Sequence, residues 1–179
     1  MVPMMSNSEV RVFDKYLEGA THYLEYGSGG STVHACNYNN LRKIKSIESD
    51  YKFFLTMKEK CDRSDIRYIN VGKTGLCGIP IDKRDMYLWK NYSSNYSSEF
   101  DLVLIDGRFR VACLLDIILK SGNPIILFHD FNNRPEYHII KKYCEIIESV
   151  DTLVVLKINA TSDRDEISDL YKIYSLISD

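Results

Sequence analysis

A glycine-rich turn directly after a short apolar run is the feature of this sequence with the clearest chemical meaning. The run Tyr23-Leu24-Glu25-Tyr26 leads straight into Gly27-Ser28-Gly29-Gly30. Glycine permits backbone angles that a side chain forbids, and it lets the main chain approach a ligand closely. The pattern predicts that the turn holds a nucleotide or nucleoside after the first strand of a parallel sheet. The alternative is a turn made only to reverse the chain.

A second acidic residue, Glu48, ends the next predicted strand, about 20 residues beyond the turn. In nucleotide-binding sheets an acid at this position accepts hydrogen bonds from two ribose hydroxyls. The alternative is that Glu48 caps the following helix, a role that Ser49 or Asp50 could fill equally well. Taken together with the glycine turn, Glu48 is predicted to bind ribose.

A third acid, Asp106, follows the strongly apolar run Leu102-Val103-Leu104-Ile105. A strand that is apolar on both faces is typical of a parallel sheet covered on both sides. We therefore expect Asp106 to face the crevice at the carboxyl ends of the strands. Arg108 and Arg110 follow it and could bind an anionic substrate through paired hydrogen bonds, or they could simply be solvated at the surface.

Polar residues also follow the next apolar run, in the segment His129-Asp130-Phe131-Asn132. Asp106, Asp130 and Asn132 offer the hard oxygen ligands that suit magnesium or calcium. His129 is a possible general base, because the ordinary pKa of histidine lies near neutrality. A histidine at a strand end can equally be a hydrogen-bonded packing residue.

The segment Gly72-Lys73-Thr74 resembles part of a phosphate-binding loop, but the spacing excludes that function. Walker A requires a glycine five residues before its Gly-Lys-Thr, and Arg67 stands there. The loop from 72 to 80 is instead predicted to be a flexible lid. Together with Trp89 and Tyr92 of the following helix, it would shape the acceptor pocket.

The composition is that of an ordinary globular protein. The chain has 179 residues, of which 45% are hydrophobic and 27% charged, with a net charge of −2. One domain spanning 1–179 is expected, with neither nucleic acid nor membrane as a partner. The five cysteines lack metal-site spacing, so we expect free thiols in a reducing, cytoplasmic compartment: Cys36, Cys61, Cys77, Cys113 and Cys144.

Predicted strands and helices alternate along most of the chain, which indicates an α/β sandwich with a mostly parallel sheet. After the fifth strand, a helix is predicted from Pro135 to Ser149. Two closing strands are predicted at Leu153–Ile158 and Leu170–Ile177. The loops before them are too short for crossover helices, so an antiparallel pair is expected at one edge of the sheet.

The run Glu25-Tyr26-Gly27-Ser28-Gly29-Gly30 resembles motif I of the class I S-adenosylmethionine-dependent methyltransferases. Glu48 stands where their ribose-binding acid does, and the terminal strand pair is similar to that of their seven-stranded, Rossmann-like sheet. The segment from Asp106 to Ala112 also resembles small bacterial methyltransferase-like proteins whose substrate is not established.

This resemblance implies roles for several residues in binding S-adenosylmethionine. Gly27 and Gly29 would pass close to its methionine part, and Glu25 would anchor its ammonium group. Asn70 and Val71 would flank the adenine, while Asp106 would touch both cofactor and substrate. Metal-dependent O-methyltransferases of this family have adjacent Asp and Asn after strand five. Here Phe131 separates Asp130 from Asn132, so a divalent metal is not the favoured interpretation.

The expected function is methyl transfer from S-adenosylmethionine to a small-molecule or sugar acceptor, at a hydroxyl group. His129, Asp106 and Asp130 are the candidates for the base that a hydroxyl acceptor needs. No Asn-Pro-Pro-Tyr-like motif of amino-group methyltransferases acting on nucleic acid is present. One alternative is a non-catalytic nucleoside-binding module. A second is an NAD-dependent oxidoreductase, although Thr32 replaces the third glycine of the dinucleotide fingerprint.

Overall fold

A single twisted sheet of seven strands organises the protein in the computed structural model, which describes residues 1–159 and 163–178. The strand order is β3-β2-β1-β4-β5-β7-β6. Strands β1 to β5 are parallel, and β7 pairs antiparallel with both β5 and β6. The strands are β1 His22–Tyr26, β2 Lys43–Glu48, β3 Asp65–Tyr68, β4 Leu102–Ile105, β5 Ile125–Phe128, β6 Cys144–Val150 and β7 Leu153–Ile158. The doubly wound, Rossmann-like fold predicted from the sequence is confirmed.

Helices cover both faces of the sheet, giving three layers. The helices are α1 Asn7–Gly19, α2 Gly30–Ala35, α3 Tyr51–Lys60, α4 Met86–Ser93, α5 Arg110–Leu119 and α6 Arg164–Tyr174. Apolar residues of α1 and α2 pack with Tyr23 and Leu104 on one face. Those of α4 and α5 pack with Leu24 and Ile105 on the other. Side chains of a strand alternate between faces, so each strand serves both cores.

Local sequence signals explain where the first helix begins. Ser6 accepts a hydrogen bond from the Glu9 backbone N–H, and the Glu9 carboxylate accepts one from the Ser6 backbone N–H. This reciprocal pair is a capping box, which satisfies donors that the first turn of a helix leaves unpaired. The pair places Glu9, which is buried, at the end of α1 nearest the loop after β5.

Of the three elements predicted for the last third of the chain, the strand Leu153–Ile158 is confirmed and the other two need correction. Residues 135–149 do not form one helix, since a 3-10 helix at Pro135–Lys142 is followed by strand β6. The segment 170–177 is not a strand, because its first half belongs to helix α6. The predicted antiparallel pair at the sheet edge does exist, but it is formed by β6 and β7.

Two further expectations concern the cysteines and the membrane. All five cysteines are free thiols, as predicted. Over residues 1–159 and 163–178, no helix combines the length and the apolar character needed to cross a bilayer.

Candidate functional site

The carboxyl ends of the parallel strands bring the glycine turn close to the loop after β4. Gly27 has φ +95°, a left-handed conformation that favours glycine. Its N–H donates to the Ile47 carbonyl at 2.9 Å, which ties the turn to β2. A Cβ on Gly27 would lie 2.6 Å from the Cα of Gly107. Two stretches of bare main chain therefore touch at the centre of the carboxyl edge.

Glu25 lies beneath the glycine turn, on the sheet face covered by α2. Its carboxylate is fully buried and accepts hydrogen bonds from the hydroxyls of Ser31, Thr32 and Ser46. Burial raises the pKa of Glu25 to about 7, against the lowering effect of these hydroxyls. The carboxylate thus anchors the start of α2 from inside, while its expected contact with a ligand ammonium stays a prediction.

Glu48 joins the glycine turn to the start of α3. Its Oε1 accepts hydrogen bonds from the backbone N–H groups of Ser49 and Asp50, both at 2.7 Å. Its Oε2 accepts a longer one, 3.3 Å, from the N–H of Ser28. Asp50 caps α3 with its side chain, accepting from the Phe53 N–H. Burial raises the pKa of Glu48 to about 7, so the group is poised between charged and neutral forms near neutrality.

The residues expected beside adenine lie at the end of β3. Val71 is fully buried, and its carbonyl accepts a hydrogen bond from the Trp89 indole at 3.0 Å. Asn70 is exposed and its side-chain oxygen accepts from the Gly72 N–H. Trp89 itself is buried, so this geometry makes it a support for the chain after β3 and does not present it to an acceptor.

The loop predicted to be a lid folds over Glu48. Residues 73–81 form a small hairpin held by hydrogen bonds from Gly75 N–H to Ile79 O and from Ile81 N–H to Lys73 O. Its tip docks where the Ser49 hydroxyl donates to the Gly78 carbonyl at 3.0 Å. The hairpin therefore covers the position at which a ribose would meet Glu48.

The Tyr92 hydroxyl fills the space beside the glycine turn. It accepts a hydrogen bond from the Arg108 N–H at 3.3 Å and lies 3.5 Å from the Ile47 carbonyl. It also stands against Gly107, where no Cβ would fit. Tyr92 is fully buried, so its hydroxyl forms part of the packing between β2 and the loop after β4.

Hollows in the surface lie at the other edge of the sheet. One of about 380 Å³ extends along β2 and β3, where Lys43, Lys45 and Arg67 are among its lining residues. Another of about 250 Å³ lies beside Asp101 and Leu102. Ligand sites in doubly wound folds lie in the crevice at the carboxyl ends of strands, and neither hollow is lined by the glycine turn, Glu48 or Asp106. We therefore assign neither to the candidate site.

A cluster of charged side chains forms the rim between β4 and β5. His129 Nδ1 lies 3.0 Å from Asp106 Oδ1 and 3.7 Å from Asp130 Oδ1. Its Nε2 lies 3.6 Å from Glu9 Oε2. Burial acts to lower the pKa of His129, but the hydrogen bond and charge of Asp106, with Asp130 and Glu9, raise it overall. Carboxylates thus approach both ring nitrogens, which favours the protonated imidazolium.

Of the two arginines after β4, Arg110 is placed differently from the sequence expectation. Arg110 is 3% exposed, and its guanidinium points inward to the acids of the rim. It therefore does not face a substrate in this structure. Arg108 is partly buried, and its backbone N–H donates to the Tyr92 hydroxyl. Binding of an anionic substrate by Arg108 stays a prediction.

Asn132 does not join the acids with which a metal site was considered. Its amide donates to the Ser149 hydroxyl at 3.0 Å and to the Asp151 carbonyl at 2.8 Å, so it is turned toward the β6–β7 hairpin. Asp130, by contrast, lies on the rim with φ +60°, a backbone conformation that is uncommon for residues other than glycine. Such conformations cluster at functional sites.

The sequence analysis missed Glu9 in this region and assigned Tyr92 a different place. Glu9 reaches His129 across 120 positions of sequence, and its capping-box spacing after Ser6 signals only a helix start. Tyr92 was expected to line an acceptor pocket, but its hydroxyl sits between the loops after β1 and β4. No local pattern predicts either contact, because both depend on how distant elements pack.

The N-terminal segment also meets the glycine turn. Gly30 has no space for a Cβ, because the backbone of Val2 and Pro3 lies against it. Gly30 thus permits close packing of the first residues of the chain on the start of α2. Its expected contact with a cofactor stays a prediction.

Comparison with known proteins finds similar folds among solved structures. No family model matches the sequence, and neither does any curated protein. Among solved structures, a methyltransferase-like protein from Silicibacter pomeroyi aligns with a TM-score of 0.87 and 25% identity, covering 99% of this chain and 97% of that one.

More distant structures share the fold. The N-methyltransferase NodS from Bradyrhizobium japonicum WM9, solved with S-adenosyl-l-homocysteine, aligns with a TM-score of 0.52 and 10% identity over 85% of this chain and 88% of its own. A candidate caffeoyl-CoA O-methyltransferase from Staphylococcus aureus aligns with a TM-score of 0.55 and 12% identity over 89% and 86%. At such low identity, the similarity concerns the fold alone.

Proposed function

Because this chain has the fold of the class I S-adenosylmethionine-dependent methyltransferases, we propose that it transfers a methyl group from S-adenosylmethionine to a small-molecule or sugar hydroxyl. One observation carries the proposal. The Ser28 N–H donates to Glu48 Oε2 at 3.3 Å, so the glycine turn and the acid one strand away lie side by side at the carboxyl edge of the sheet. A nucleoside with a charged amino-acid tail suits this arrangement, because backbone donors and a carboxylate serve its two ends. Glu48 is buried beneath the hairpin of residues 73–81, so binding of a ribose requires that hairpin to move.

Each residue of the site has a distinct part in this proposal. The bare backbone at Gly27 and Gly29 lets the tail of the cofactor pass close to the main chain, and Glu48 orients the ribose hydroxyls. When bound, S-adenosylmethionine supplies a methyl group on a positively charged sulfur that is attacked in line. The protein contributes mainly alignment of the acceptor and exclusion of water. Asp106, with 24% of its side chain exposed, is accessible to an acceptor at this edge of the sheet.

The proton of a hydroxyl acceptor would pass to a carboxylate of the rim. We propose Asp106 or Asp130 for this role rather than His129, because carboxylates approach both ring nitrogens of the histidine and raise its pKa. An imidazolium cannot accept a proton, but it can stabilise the negative charge of the adjacent acids.

A non-catalytic nucleoside-binding module is the second candidate function. The contacts of both His129 ring nitrogens with carboxylates favour it, because a site without an available histidine base is less suited to activating an acceptor. Such a protein would bind S-adenosylmethionine and S-adenosylhomocysteine alike and release no methylated product.

Thermal unfolding with ligands tests the cofactor. A ligand that binds only the folded state at 100 times its dissociation constant stabilises that state by about 2.7 kcal/mol. We expect S-adenosylhomocysteine to raise the melting temperature and NAD to leave it unchanged. A shift with NAD alone would contradict the proposal in favour of an oxidoreductase. The absence of any calorimetric binding of S-adenosylmethionine would refute it.

Replacement of Glu48 tests the ribose contact. We expect Glu48→Ala to weaken binding of S-adenosylhomocysteine by about 1.5–3 kcal/mol, the usual contribution of a hydrogen bond to a charged group. Titration calorimetry gives the dissociation constants. Glu99→Ala is the matched control, because Glu99 is exposed and pairs with Lys43 at the amino edge of the sheet. Equal affinities for the two variants would argue against the ribose role.

A further inference from the structure

The rim between β4 and β5 holds the types of donor that bind a divalent cation. Asp106, His129 and Asp130 each offer an atom, and these atoms lie within 4.8 Å of one another. Donors of this kind, if free to turn inward, would suit an ion such as Mg²⁺ or Mn²⁺. The question is therefore whether a metal ion or a positively charged side chain neutralises these acids.

One guanidinium already lies between the two aspartates. The Nη2 atom of Arg110 is 3.2 Å from Asp106 Oδ1 and 3.1 Å from Asp130 Oδ2. These are lengths of charge-assisted hydrogen bonds, whereas oxygen–metal distances are about 2.0–2.6 Å. A metal ion coordinated by both carboxylates would have to stand where this positive group stands.

Backbone contacts fix the guanidinium in place. Arg110 Nε donates to the Gly107 carbonyl at 3.0 Å, and Nη1 donates to the His129 carbonyl at 2.7 Å. The ring of Tyr137 lies 5.7 Å from the guanidinium carbon. Arg110 is the first residue of α5 and is 3% exposed. One side chain therefore ties the loop after β4 to the loop after β5.

The charges around the rim are nearly balanced by the protein's own groups. The carboxylates are Asp106, Asp130 and Glu9. Arg110 lies between Asp106 and Asp130, and the guanidinium of Arg134 approaches Asp130 Oδ2 at 3.5 Å. A divalent ion added here would meet two neighbouring cations, and their repulsion opposes its binding.

We propose that Arg110 is a positioning residue that takes the place of a divalent metal at this rim, holding Asp106 and Asp130 for a metal-independent reaction. The metal-independent reaction in this inference rests on the proposed methyl transfer. The exclusion of a metal ion by Arg110 does not, because it depends only on the charges of the chain itself. The planar fork of arginine contacts two carbonyls and two carboxylates at once, which a lysine ammonium cannot do.

Titration calorimetry with MnCl₂ and MgCl₂ tests the proposal without any methyl donor. We expect the wild type to show no binding of either ion up to millimolar concentration. Arg110→Met removes the charge but keeps an apolar stem. We expect it to bind Mn²⁺ at least roughly 10-fold more tightly than the wild type, since Asp106 and Asp130 then lose the guanidinium that they share. Arg134→Met is the matched control, because it removes a more exposed arginine from the same Asp130, and it should gain no such affinity.

Two further variants keep the test decisive. In Arg110→Met/Asp130→Asn the gained Mn²⁺ affinity should disappear. If Arg110→Met does not fold, Arg110→Gln, with a shorter neutral side chain, takes its place. Tight Mn²⁺ binding by the wild type that Asp106→Asn abolishes would overturn the proposal. A folded Arg110→Met or Arg110→Gln without any gain would overturn it as well.

The outcome is separable from that of the proposed function. Binding of S-adenosylhomocysteine to the wild type, measured with and without EDTA, reports on the cofactor site alone. Failure of that binding would refute methyl transfer while leaving the manganese titrations interpretable. Cofactor binding, or methyl transfer to an identified acceptor, that EDTA abolishes and Mg²⁺ restores would instead overturn the metal-independent role of the rim.

Discussion

Gly27→Val is expected to abolish binding of S-adenosylhomocysteine and to destabilise the fold. Gly27 has φ +95°, and a Cβ would stand 2.6 Å from the Gly107 Cα and 2.8 Å from the Asp106 carbonyl oxygen. A β-branched side chain is strained at positive φ and has no space here. The loop after β1 must then separate from the loop after β4. We expect a loss of about 4 kcal/mol or more in unfolding free energy, in the range of severe single substitutions.

Urea unfolding and calorimetry measure the two effects. Gly27→Ala is the milder form, and Gly19→Ala is its matched control, since a Cβ on Gly19 meets nothing within 4 Å. We expect Gly19→Ala to stay within about 1 kcal/mol of the wild type and to keep full affinity. Wild-type stability and affinity in Gly27→Ala would show that the close contact between the two loops is not required.

The second large effect concerns the pH dependence of stability. Burial raises the pKa of Glu25 from 4.5 to about 7 in the folded protein. The folded state therefore holds the proton more tightly than the unfolded state. The resulting stabilisation is complete below pH 4.5 and is lost as the pH rises through 7. This loss amounts to about 3 kcal/mol by pH 8, at 1.36 kcal/mol per pH unit of difference.

Glu25→Gln removes this titration while keeping the shape of the side chain. We expect the unfolding free energy of the wild type to fall by about 3 kcal/mol relative to Glu25→Gln between pH 4.5 and pH 8. Chemical denaturation at several pH values measures the difference. The exposed Glu59 on α3 provides the control, and Glu59→Gln should follow the wild type. A constant difference between Glu25→Gln and the wild type would show that Glu25 is already charged in the folded state.

The sequence predicted most of the fold because the alternation of strands and helices is strong as far as β5. It was wrong for 144–150, where Glu145 and Glu148 favour a helix by propensity. That segment forms an edge strand, with a pairing irregularity between Ile146 and Glu148. Pairing with β7, which local sequence does not reveal, decides its structure.

Helix α6 was predictable in principle. The Asp163 side chain caps it, accepting from the N–H groups of Asp165 and Glu166. Its apolar residues Ile167, Leu170, Tyr171 and Tyr174 follow helical spacing. The strand was predicted from residues 170–177 alone, and this segment is too short to show the helical spacing of the apolar residues that begins at Ile167.

The sequence predicted where the backbone of the candidate site lies, but not how its side chains contact one another. The glycine turn, Glu48 and Asp106 could be placed because each ends or follows a buried strand. The inward direction of Arg110 and the approach of Glu9 to His129 could not. Both contacts depend on the packing of side chains from elements far apart in sequence.

The position of β7 between β5 and β6 bears on how the chain matures as it leaves the ribosome. Strand β6 is synthesised before β7, but it has no neighbour in the sheet until β7 has paired with β5. Until residue 158 emerges, β5 thus presents a free edge of unpaired amides, a template for association with other nascent chains. We expect chains truncated before residue 153 to aggregate, because the edge of β5 is covered only after β7 has been synthesised.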